Sequence, residues 1–81
     1  MIVYLNGEYL PKSEALISPD DRGFLFADGV YEVIAGYEGR LFRTQDHLTR
    51  LERSLKALRI ELEDVSGVED IATQLLQKND L

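Results

Sequence analysis

A turn-forming dipeptide near the start of the chain constrains the fold more than any other short feature. Asn6-Gly7 separates two β-rich runs, residues 2–5 and residues 8–10. Asparagine and glycine tolerate the positive φ angles that the two central residues of a type I′ turn require. Pro11 has no backbone N–H to donate and should end the second strand. The sequence therefore predicts an antiparallel β-hairpin at the N-terminus.

A second hairpin is predicted around Glu38-Gly39, with residues 30–37 as its first strand and residues 40–43 pairing back. Successive side chains of a strand point to opposite faces. One face of residues 30–37 then carries Val30, Glu32, Ile34 and Gly36. The other face carries Tyr31, Val33, Ala35 and Tyr37. We expect Tyr31 and Val33 to look outward together.

The segment between the hairpins combines helix-starting residues with aromatic residues. Ser18-Pro19 is typical of a helical turn, with Ser18 as N-cap and proline at the first helical position. Phe24 and Phe26 lie between two glycines and are the largest apolar residues of the segment. We expect both phenylalanines to be core anchors.

Two amphipathic helices are predicted in the second half of the chain. The first begins with Thr44 as N-cap, and Asp46 complements the helix dipole in the first turn. Its apolar stripe has 3-4-3 spacing and consists of Leu48, Leu51, Leu55 and Leu58. The last helix opens on the capping-box pair Ser66 and Glu69 and ends near Asn79. Its buried face should comprise Val68, Ile71, Ala72, Leu75 and Leu76.

The order of these elements is two hairpins followed by two helices. That order predicts an α+β fold in which both C-terminal helices pack on antiparallel β-hairpins. A chain of 81 residues is expected to form one domain.

Composition excludes several classes of function. Nine basic and fifteen acidic residues give a net charge of -6, which disfavours binding to nucleic acid or to an anionic membrane. The chain has no cysteine, so disulfides, thiolate catalysis and cysteine metal sites are excluded. The first residues do not resemble a signal peptide, and no segment has the roughly 20 apolar residues of a membrane span. We therefore expect a cytoplasmic protein.

Two residues stand out as candidates for binding. Arg50 lies near the start of the leucine-rich helix but off its apolar stripe. A guanidinium there could bind a phosphate with two parallel hydrogen bonds, although the pattern alone favours a surface salt bridge. Tyr31 is either a cross-strand aromatic residue at the surface or the wall of a pocket whose hydroxyl contacts a ligand.

Other polar residues are assigned structural or surface positions. His47 is the only histidine, and no second strong ligand lies at helical spacing from it, so we expect a half-buried position and no metal site. Three lysines are predicted to be surface residues: Lys12, Lys56 and Lys78. Three acidic residues are predicted to form a solvated loop rather than a catalytic pair: Glu61, Glu63 and Asp64.

Residues 21–54, DRGFLFADGVYEVIAGYEGRLFRTQDHLTRLERS, resemble the N-terminal signature of the class IV (fold type IV) aminotransferases, which use pyridoxal 5'-phosphate (PLP). The motifs are Asp21-Arg22-Gly23, Asp28-Gly29-Val30-Tyr31-Glu32, Gly39, His47-Leu48 and Arg50-Leu51. The DGVYEV string is very similar to that of the D-amino-acid aminotransferase branch. The branched-chain branch more often has phenylalanine followed by Glu-Gly, and the aminodeoxychorismate lyase branch usually has Phe-Glu-Thr. The resemblance covers nearly the whole chain.

The resemblance implies a role for individual residues. The arginine of the family's HLxRL helix binds the PLP phosphate, which assigns this role to Arg50. Tyr31 would help to bind the substrate carboxylate, and Val33 would line the same side of the pocket. His47 would belong to the structural frame of the motif. The lysine that carries PLP in the family lies well beyond residue 81, so the resemblance implies no catalytic residue in this chain.

The resemblance also implies that residues 1–81 are the small N-terminal domain of a longer enzyme, with the catalytic-lysine domain absent. The parent protein would be a homodimer that transfers an amino group between an amino acid, D-alanine-type or branched-chain, and a 2-oxo acid. The 81 residues alone would be inactive and would bind PLP weakly or not at all. Two alternatives stay open: a PLP enzyme similar to aminodeoxychorismate lyase, and a non-catalytic interaction domain that uses an exposed apolar face.

Overall fold

The computed structural model describes residues 1–62 and 65–81. The elements, in chain order, are β1 (Ile2–Leu5), β2 (Glu8–Pro11), a 3₁₀ turn (Lys12–Glu14), α1 (Arg22–Phe26), β3 (Gly36–Tyr37), β4 (Arg40–Leu41), α2 (Thr44–Ala57) and α3 (Ser66–Lys78). Glu63 and Asp64 of the predicted acidic loop lie outside the described residues, and Glu61 is exposed.

The N-terminal hairpin forms as predicted. Strands β1 and β2 pair antiparallel, and the register places Leu5 opposite Glu8. Asn6 and Gly7 have φ angles of 50° and 90°, which are the positive values that a type I′ turn requires.

Pro11 is the last residue of β2 and lies opposite Ile2, at a position whose N–H would point away from β1. The N–H of Lys12 still donates to the carbonyl of Met1 at 2.8 Å, so the proline removes no hydrogen bond from the hairpin.

The second hairpin is shorter than predicted. Strands β3 and β4 have two residues each, around Glu38 and Gly39 with φ angles of 48° and 78°. One further hydrogen bond, from the N–H of Phe42 to the carbonyl of Ala35 at 2.8 Å, extends the pairing. Residues 30–35 are not part of a ladder, so the predicted strand over residues 30–37 is wrong in length.

The predicted alternation of faces is nevertheless present in residues 30–35. The even-numbered residues Val30, Glu32 and Ile34 are half-buried. The odd-numbered residues Tyr31, Val33 and Ala35 are exposed. Packing of the even-numbered side chains toward the helices is therefore enough to set the alternation without a neighbouring strand.

The segment between the hairpins confirms one prediction and corrects another. Ser18 caps a turn as predicted, with its Oγ accepting a hydrogen bond from the N–H of Asp20 at 3.1 Å, and helix α1 then begins after its own N-cap, Asp21. Phe24 and Phe26 are 69% and 61% exposed, so they are not core anchors in this chain. The two phenylalanines lie two positions apart on a five-residue helix and therefore cannot share one inward face.

The core lies along α2. Leu48 and Leu55 are only 4% and 8% exposed, and Leu51 is half-buried beside them. Leu58 is 51% exposed, because α2 ends at Ala57 and the chain leaves the helical stripe there. The predicted apolar stripe is thus confirmed for its first three leucines only.

Both long helices begin one residue away from the predicted caps. Arg43, in the left-handed conformation with φ 53°, precedes α2, so Thr44 is the first helical residue rather than the N-cap. Val65 likewise precedes α3, and Ser66 is the first residue of that helix. The C-terminal end of α3 is as predicted, with Asn79 in the C-cap position.

Helix α3 packs against β1, β4 and α2, and its predicted inner face is half-buried. Asn79 joins the two ends of the chain: its Oδ1 accepts from the N–H of Ile2 at 2.7 Å, and its Nδ2 donates to the carbonyl of Ile2 at 2.9 Å. The predicted α+β fold, with helices packed on antiparallel hairpins, is confirmed. Within residues 1–62 and 65–81, no helix has the length and apolar character of a membrane span.

Candidate functional site

The candidate site is built around a carboxylate on the inner face of residues 30–34. Glu32 lies between the half-buried Val30 and Ile34, and its side chain is only 11% exposed. A carboxylate in such a position loses hydration and needs hydrogen-bond partners. Helix α2 supplies two partners, His47 and Arg50, which lie three residues apart on one side of the helix.

Arg50 and Glu32 form a two-bond ion pair. Nε of Arg50 donates to Oε2 of Glu32 at 2.9 Å, and Nη2 donates to Oε1 at 2.7 Å. Two parallel bonds of this kind fix both the distance and the plane of a guanidinium. The salt bridge that the sequence pattern favoured for Arg50 is therefore present.

His47 provides a further contact to the same carboxylate. Its Nδ1 lies 2.8 Å from Oε1 of Glu32, which assigns the proton to Nδ1 as donor. Nη2 of Arg50 lies 3.4 Å from the same Nδ1. Because Nδ1 already donates its proton, this second contact is between two donors and is not a hydrogen bond. The predicted half-buried position of His47 is confirmed, with its side chain 19% exposed.

The cluster shifts the titration of its charged members. The hydrogen bond from Arg50 is the largest of the effects that lower the pKa of Glu32 from 4.5 to about 2, followed by the hydrogen bond from His47. Burial acts in the opposite direction and is outweighed. The hydrogen bond to Glu32 in turn raises the pKa of Arg50. Glu32 is thus ionised at neutral pH.

One edge of the Arg50 guanidinium stays open. A guanidinium has five N–H donors, and Glu32 occupies Nε–H and one hydrogen of Nη2. None of the bonds among the described residues engages Nη1. The Arg50 side chain is 62% exposed, so this edge reaches the solvent. The arrangement leaves donors for an external anion.

Tyr31 and Val33 share a depression with Arg50. Together with Glu32 they line a volume of about 410 Å³. Tyr31 is 84% exposed and Val33 73% exposed, so both look outward as predicted. The fold therefore brings the three predicted binding residues to one place.

The other charged candidates lie outside this depression. Lys12 is exposed, Lys56 pairs with Glu52 at 3.4 Å, and Lys78 lies 4.9 Å above the ring of Tyr9. The prediction that the three lysines are surface residues is confirmed. Among the described residues, no group of three histidine, cysteine or acidic side chains could hold a metal ion.

Glu32 is the site residue for which the sequence analysis gave no role. A signal for it was present, because the alternation places Glu32 on the same face as Val30 and Ile34. A charged residue among apolar neighbours on an inward face requires a partner of opposite charge. His47 and Arg50, one helical turn apart, were the available partners.

The chain matches the family model described as amino-transferase class IV over residues 29–81. The chain belongs to this family. It is 38% identical to a D-alanine aminotransferase of Staphylococcus haemolyticus and 36% identical to that of Staphylococcus aureus (strain N315), in each case over 98% of this chain and 28% of the relative. It is 43% identical to an aminodeoxychorismate lyase of Bacillus subtilis (strain 168), over 99% of this chain and 28% of the relative.

The predicted membership of the class IV family is confirmed. The chain spans 28% of the length of these curated relatives. The relatives carry the names of two different enzymes, a transaminase and a lyase. Both names fall within a family whose enzymes generally use PLP.

Proposed function

We propose that residues 1–81 form the small N-terminal domain of a PLP-dependent aminotransferase and that Arg50 binds the phosphate of the cofactor. The observation that carries this proposal is the depression that Arg50 lines together with Tyr31, Glu32 and Val33. The family match and the similarity to D-alanine aminotransferases support it.

The donors on Arg50 fit a phosphate group. Nη1 offers two N–H groups, and the guanidinium stays charged at any physiological pH. Glu32 holds the opposite edge of the same guanidinium, so a phosphate and this carboxylate need not compete for the same hydrogens. A phosphate on the open edge would lie beside the exposed side chains of Tyr31 and Val33.

The other residues of the depression would orient the substrate. PLP, when bound, supplies an electron sink for the charge that develops on the substrate. The exposed hydroxyl of Tyr31 would donate a hydrogen bond to the substrate carboxylate, and Val33 would form an apolar wall on the same side. The substrates would be an amino acid, D-alanine-type or branched-chain, and a 2-oxo acid.

We further propose that the lysine that carries PLP lies outside these 81 residues. Such a lysine needs burial or a nearby cation to lower its pKa. Lys12, Lys56 and Lys78 are all exposed, and none lines the depression. The 81 residues would then be inactive by themselves and would bind PLP weakly. The full-length protein would be a cytoplasmic homodimer.

An aminodeoxychorismate lyase is the second candidate, favoured by the 43% identity to the Bacillus subtilis protein of that name. The depression suits both reactions, because each requires a phosphate anchor and a wall beside the substrate. Release of pyruvate from aminodeoxychorismate, without transfer of an amino group, would decide for the lyase. Transfer of an amino group from D-alanine to a 2-oxo acid would decide for the transaminase.

The role of Arg50 can be tested by binding of PLP and of pyridoxal, which lacks the phosphate, to the full-length protein. A hydrogen bond to a charged group contributes about 1.5–3 kcal/mol, so Arg50→Ala should weaken PLP binding by roughly 10- to 100-fold. Pyridoxal binding should change little. Arg50→Lys keeps a cation beside Glu32 and checks that the loss does not come from an unpaired carboxylate.

Arg53→Ala is the matched control, since Arg53 is an exposed arginine of the same helix that lies outside the depression. It should leave the dissociation constants of both compounds unchanged. An unchanged PLP constant for both Arg50 variants would refute the assignment of the phosphate to Arg50.

A further inference from the structure

We propose that Glu32 and His47 are positioning residues that hold Arg50 with its open edge directed at the bound phosphate. The inference rests on the proposed function, in which Arg50 binds the phosphate. His47 does not line the depression, and Glu32, which does, would act through Arg50.

Glu32 restrains the guanidinium of Arg50. Arginine has a long side chain with many rotamers, and an unrestrained guanidinium would have to be ordered when the ligand binds. Oε2 of Glu32 accepts from Nε of Arg50, and Oε1 accepts from Nη2. These two bonds set the plane of the guanidinium before any ligand arrives.

The direction of the open edge of Arg50 is limited by the edge that Glu32 holds. The carboxylate of Glu32 is 11% exposed, whereas the side chain of Arg50 is 62% exposed. Glu32 engages Nε and Nη2, so Nη1 is the guanidinium nitrogen left for a ligand. Arg50 lines one depression together with Tyr31, Glu32 and Val33, and the proposed positioning directs Nη1 into it. An anion that enters the depression meets a donor edge that is already placed.

His47 in turn restrains Glu32. Its Nδ1 donates to Oε1, the oxygen that also accepts from Nη2 of Arg50. With Oε2 engaged by Nε, both carboxylate oxygens have partners. His47 and Arg50 both belong to α2, so the carboxylate is held to one turn of a single helix. His47 thus opposes rotation of Glu32 away from the guanidinium.

Electrostatic repulsion would give Glu32 the opposite role, and the two roles predict changes of opposite sign in PLP affinity. The carboxylate neutralises the charge of Arg50 and would repel a phosphate nearby. If Glu32 competed with the phosphate, replacing it by glutamine would tighten PLP binding. If Glu32 positions Arg50, the same replacement would weaken PLP binding, because the amide presents an N–H donor to the N–H groups of Arg50.

The test measures dissociation constants of PLP and pyridoxal for the full-length protein and its Glu32→Gln, Arg50→Lys and double variants. Loss of the positioning bond should weaken PLP binding by about tenfold in Glu32→Gln, the amount expected for one hydrogen bond to a charged group. Pyridoxal binding should stay constant. The double variant should bind PLP no more weakly than Arg50→Lys, because Glu32 acts only through Arg50. The control is Glu52→Gln, which removes an exposed carboxylate of α2.

A second measurement observes the restraint directly, without a cofactor. Hydrogen exchange of the Arg50 Nε–H with water, followed by NMR, should be slow in the unliganded protein and faster in Glu32→Gln. His47→Gln should show an intermediate rate, because it removes the restraint on Glu32 but leaves the ion pair. If Glu32 did not restrain Arg50, the Nε–H of Arg50 would exchange with water at the same rate as the Nε–H of Arg53. Equal exchange rates in all three proteins would overturn the proposal.

Three results of the binding measurements would also overturn it. PLP binding that is unchanged or tighter in Glu32→Gln would show that Glu32 does not position Arg50. Equal weakening of PLP and pyridoxal would indicate general damage to the domain. An unchanged PLP constant in both Arg50→Ala and Arg50→Lys would refute the proposed function itself and the positioning role together. If Glu32→Gln does not fold, Glu32→Asp keeps the charge, shortens the reach and should weaken PLP binding selectively.

Discussion

Asn79 gives the sharpest test of how this small fold is stabilised. Its side-chain amide pairs with both the N–H and the carbonyl of Ile2, at 2.7 and 2.9 Å, much as a neighbouring strand would. Its Nδ2 also donates to the carbonyl of Leu75 at 2.9 Å, one of the last carbonyls of α3. One side chain therefore connects the first strand with the end of the last helix.

The expected effect follows from these three hydrogen bonds. Each contributes about 0.5–1.5 kcal/mol net, and water can replace part of it at a half-buried position. We expect Asn79→Ala to lower the free energy of unfolding by about 2 kcal/mol. For a domain of this size, such a loss lowers the Tm by about 8–16 °C.

Asn79→Asp separates hydrogen bonding from packing, since the two side chains have nearly the same shape. The variant keeps an acceptor for the N–H of Ile2 but places an oxygen against the carbonyls of Ile2 and Leu75. This environment disfavours the charged form and should raise the pKa of the introduced carboxyl in the folded state. The loss of stability should therefore be largest at neutral pH and should diminish as the pH falls toward about 3.

The assay is urea unfolding followed by circular dichroism at 222 nm, for the wild type and each variant. Gln77→Ala, at an exposed position of the same helix, is the control and should change stability by less than about 0.5 kcal/mol. A value for Asn79→Ala equal to that of the control would refute the argument, because water would then replace the three bonds without cost. Equal losses for Asn79→Asp at pH 7 and pH 3 would refute the electrostatic part.

Two further predictions concern the core and the ion pair. Leu48→Ala should cost about 2–4 kcal/mol in urea unfolding because Leu48 is 4% exposed, whereas Leu58→Ala, at a position 51% exposed, should cost less than about 1 kcal/mol; equal costs would contradict the assignment of the core. The pKa of Glu32 is lower in the folded state, so its contribution is complete above pH 4.5 and is lost as the pH falls toward about 2. The stability difference between wild type and Glu32→Gln should shrink over that interval, and a difference that stays constant with pH would contradict the shift.

The turns and helices could be predicted because their signals are local. Asn6, Gly7 and Gly39 adopt the positive φ angles that their residue types tolerate, whereas Glu38 takes φ 48° as the less suited partner of Gly39. The leucine spacing of α2 identifies Leu48 and Leu55 as core residues, and both are buried. Each of these features depends on residues within a few positions of one another, so the sequence alone specifies it.

Features that depend on distant parts of a fold were predicted less well. The strand over residues 30–37 was expected from its β-rich alternation, but a ladder needs a neighbouring strand, and only its last two residues have one. Phe24 and Phe26 were expected in the core because of their size, yet burial also needs a second surface to pack against. The hydrophobicity of a residue determines the free energy it would gain from burial. It does not determine whether the fold provides a surface for that residue to pack against.

The caps show a smaller difference of the same kind. Thr44 has the side chain of an N-cap, but the left-handed conformation of Arg43 moves the start of α2 by one residue. The capping preference of threonine is worth about 1 kcal/mol, which is small enough for the geometry of the preceding hairpin to override it. Element type is thus better specified by sequence than element boundaries.

The candidate site was predicted as separate residues, and the structure adds their arrangement. Alternation alone placed Tyr31 and Val33 on one outward face, and both are exposed. Nothing local to α2 could indicate that Arg50 would lie beside them, since this depends on how the helix docks. The hydrogen bonds from His47 and Arg50 to Glu32 hold α2 against the segment that carries Tyr31 and Val33.

Glu32 therefore has two roles: it belongs to the inner face of residues 30–34, and it binds the candidate site residue Arg50. An apolar residue there would continue the inner face of Val30 and Ile34 and would avoid the desolvation of a carboxylate. Contact between apolar side chains is non-directional, whereas the carboxylate accepts directed hydrogen bonds from His47 and Arg50 of α2. The same bonds leave Nη1 of Arg50 without a partner among the bonds of the described residues, and Arg50 lines one depression with Tyr31. A departure from an apolar inner face is the kind of local inconsistency that is expected where a sequence serves a binding site as well as a core.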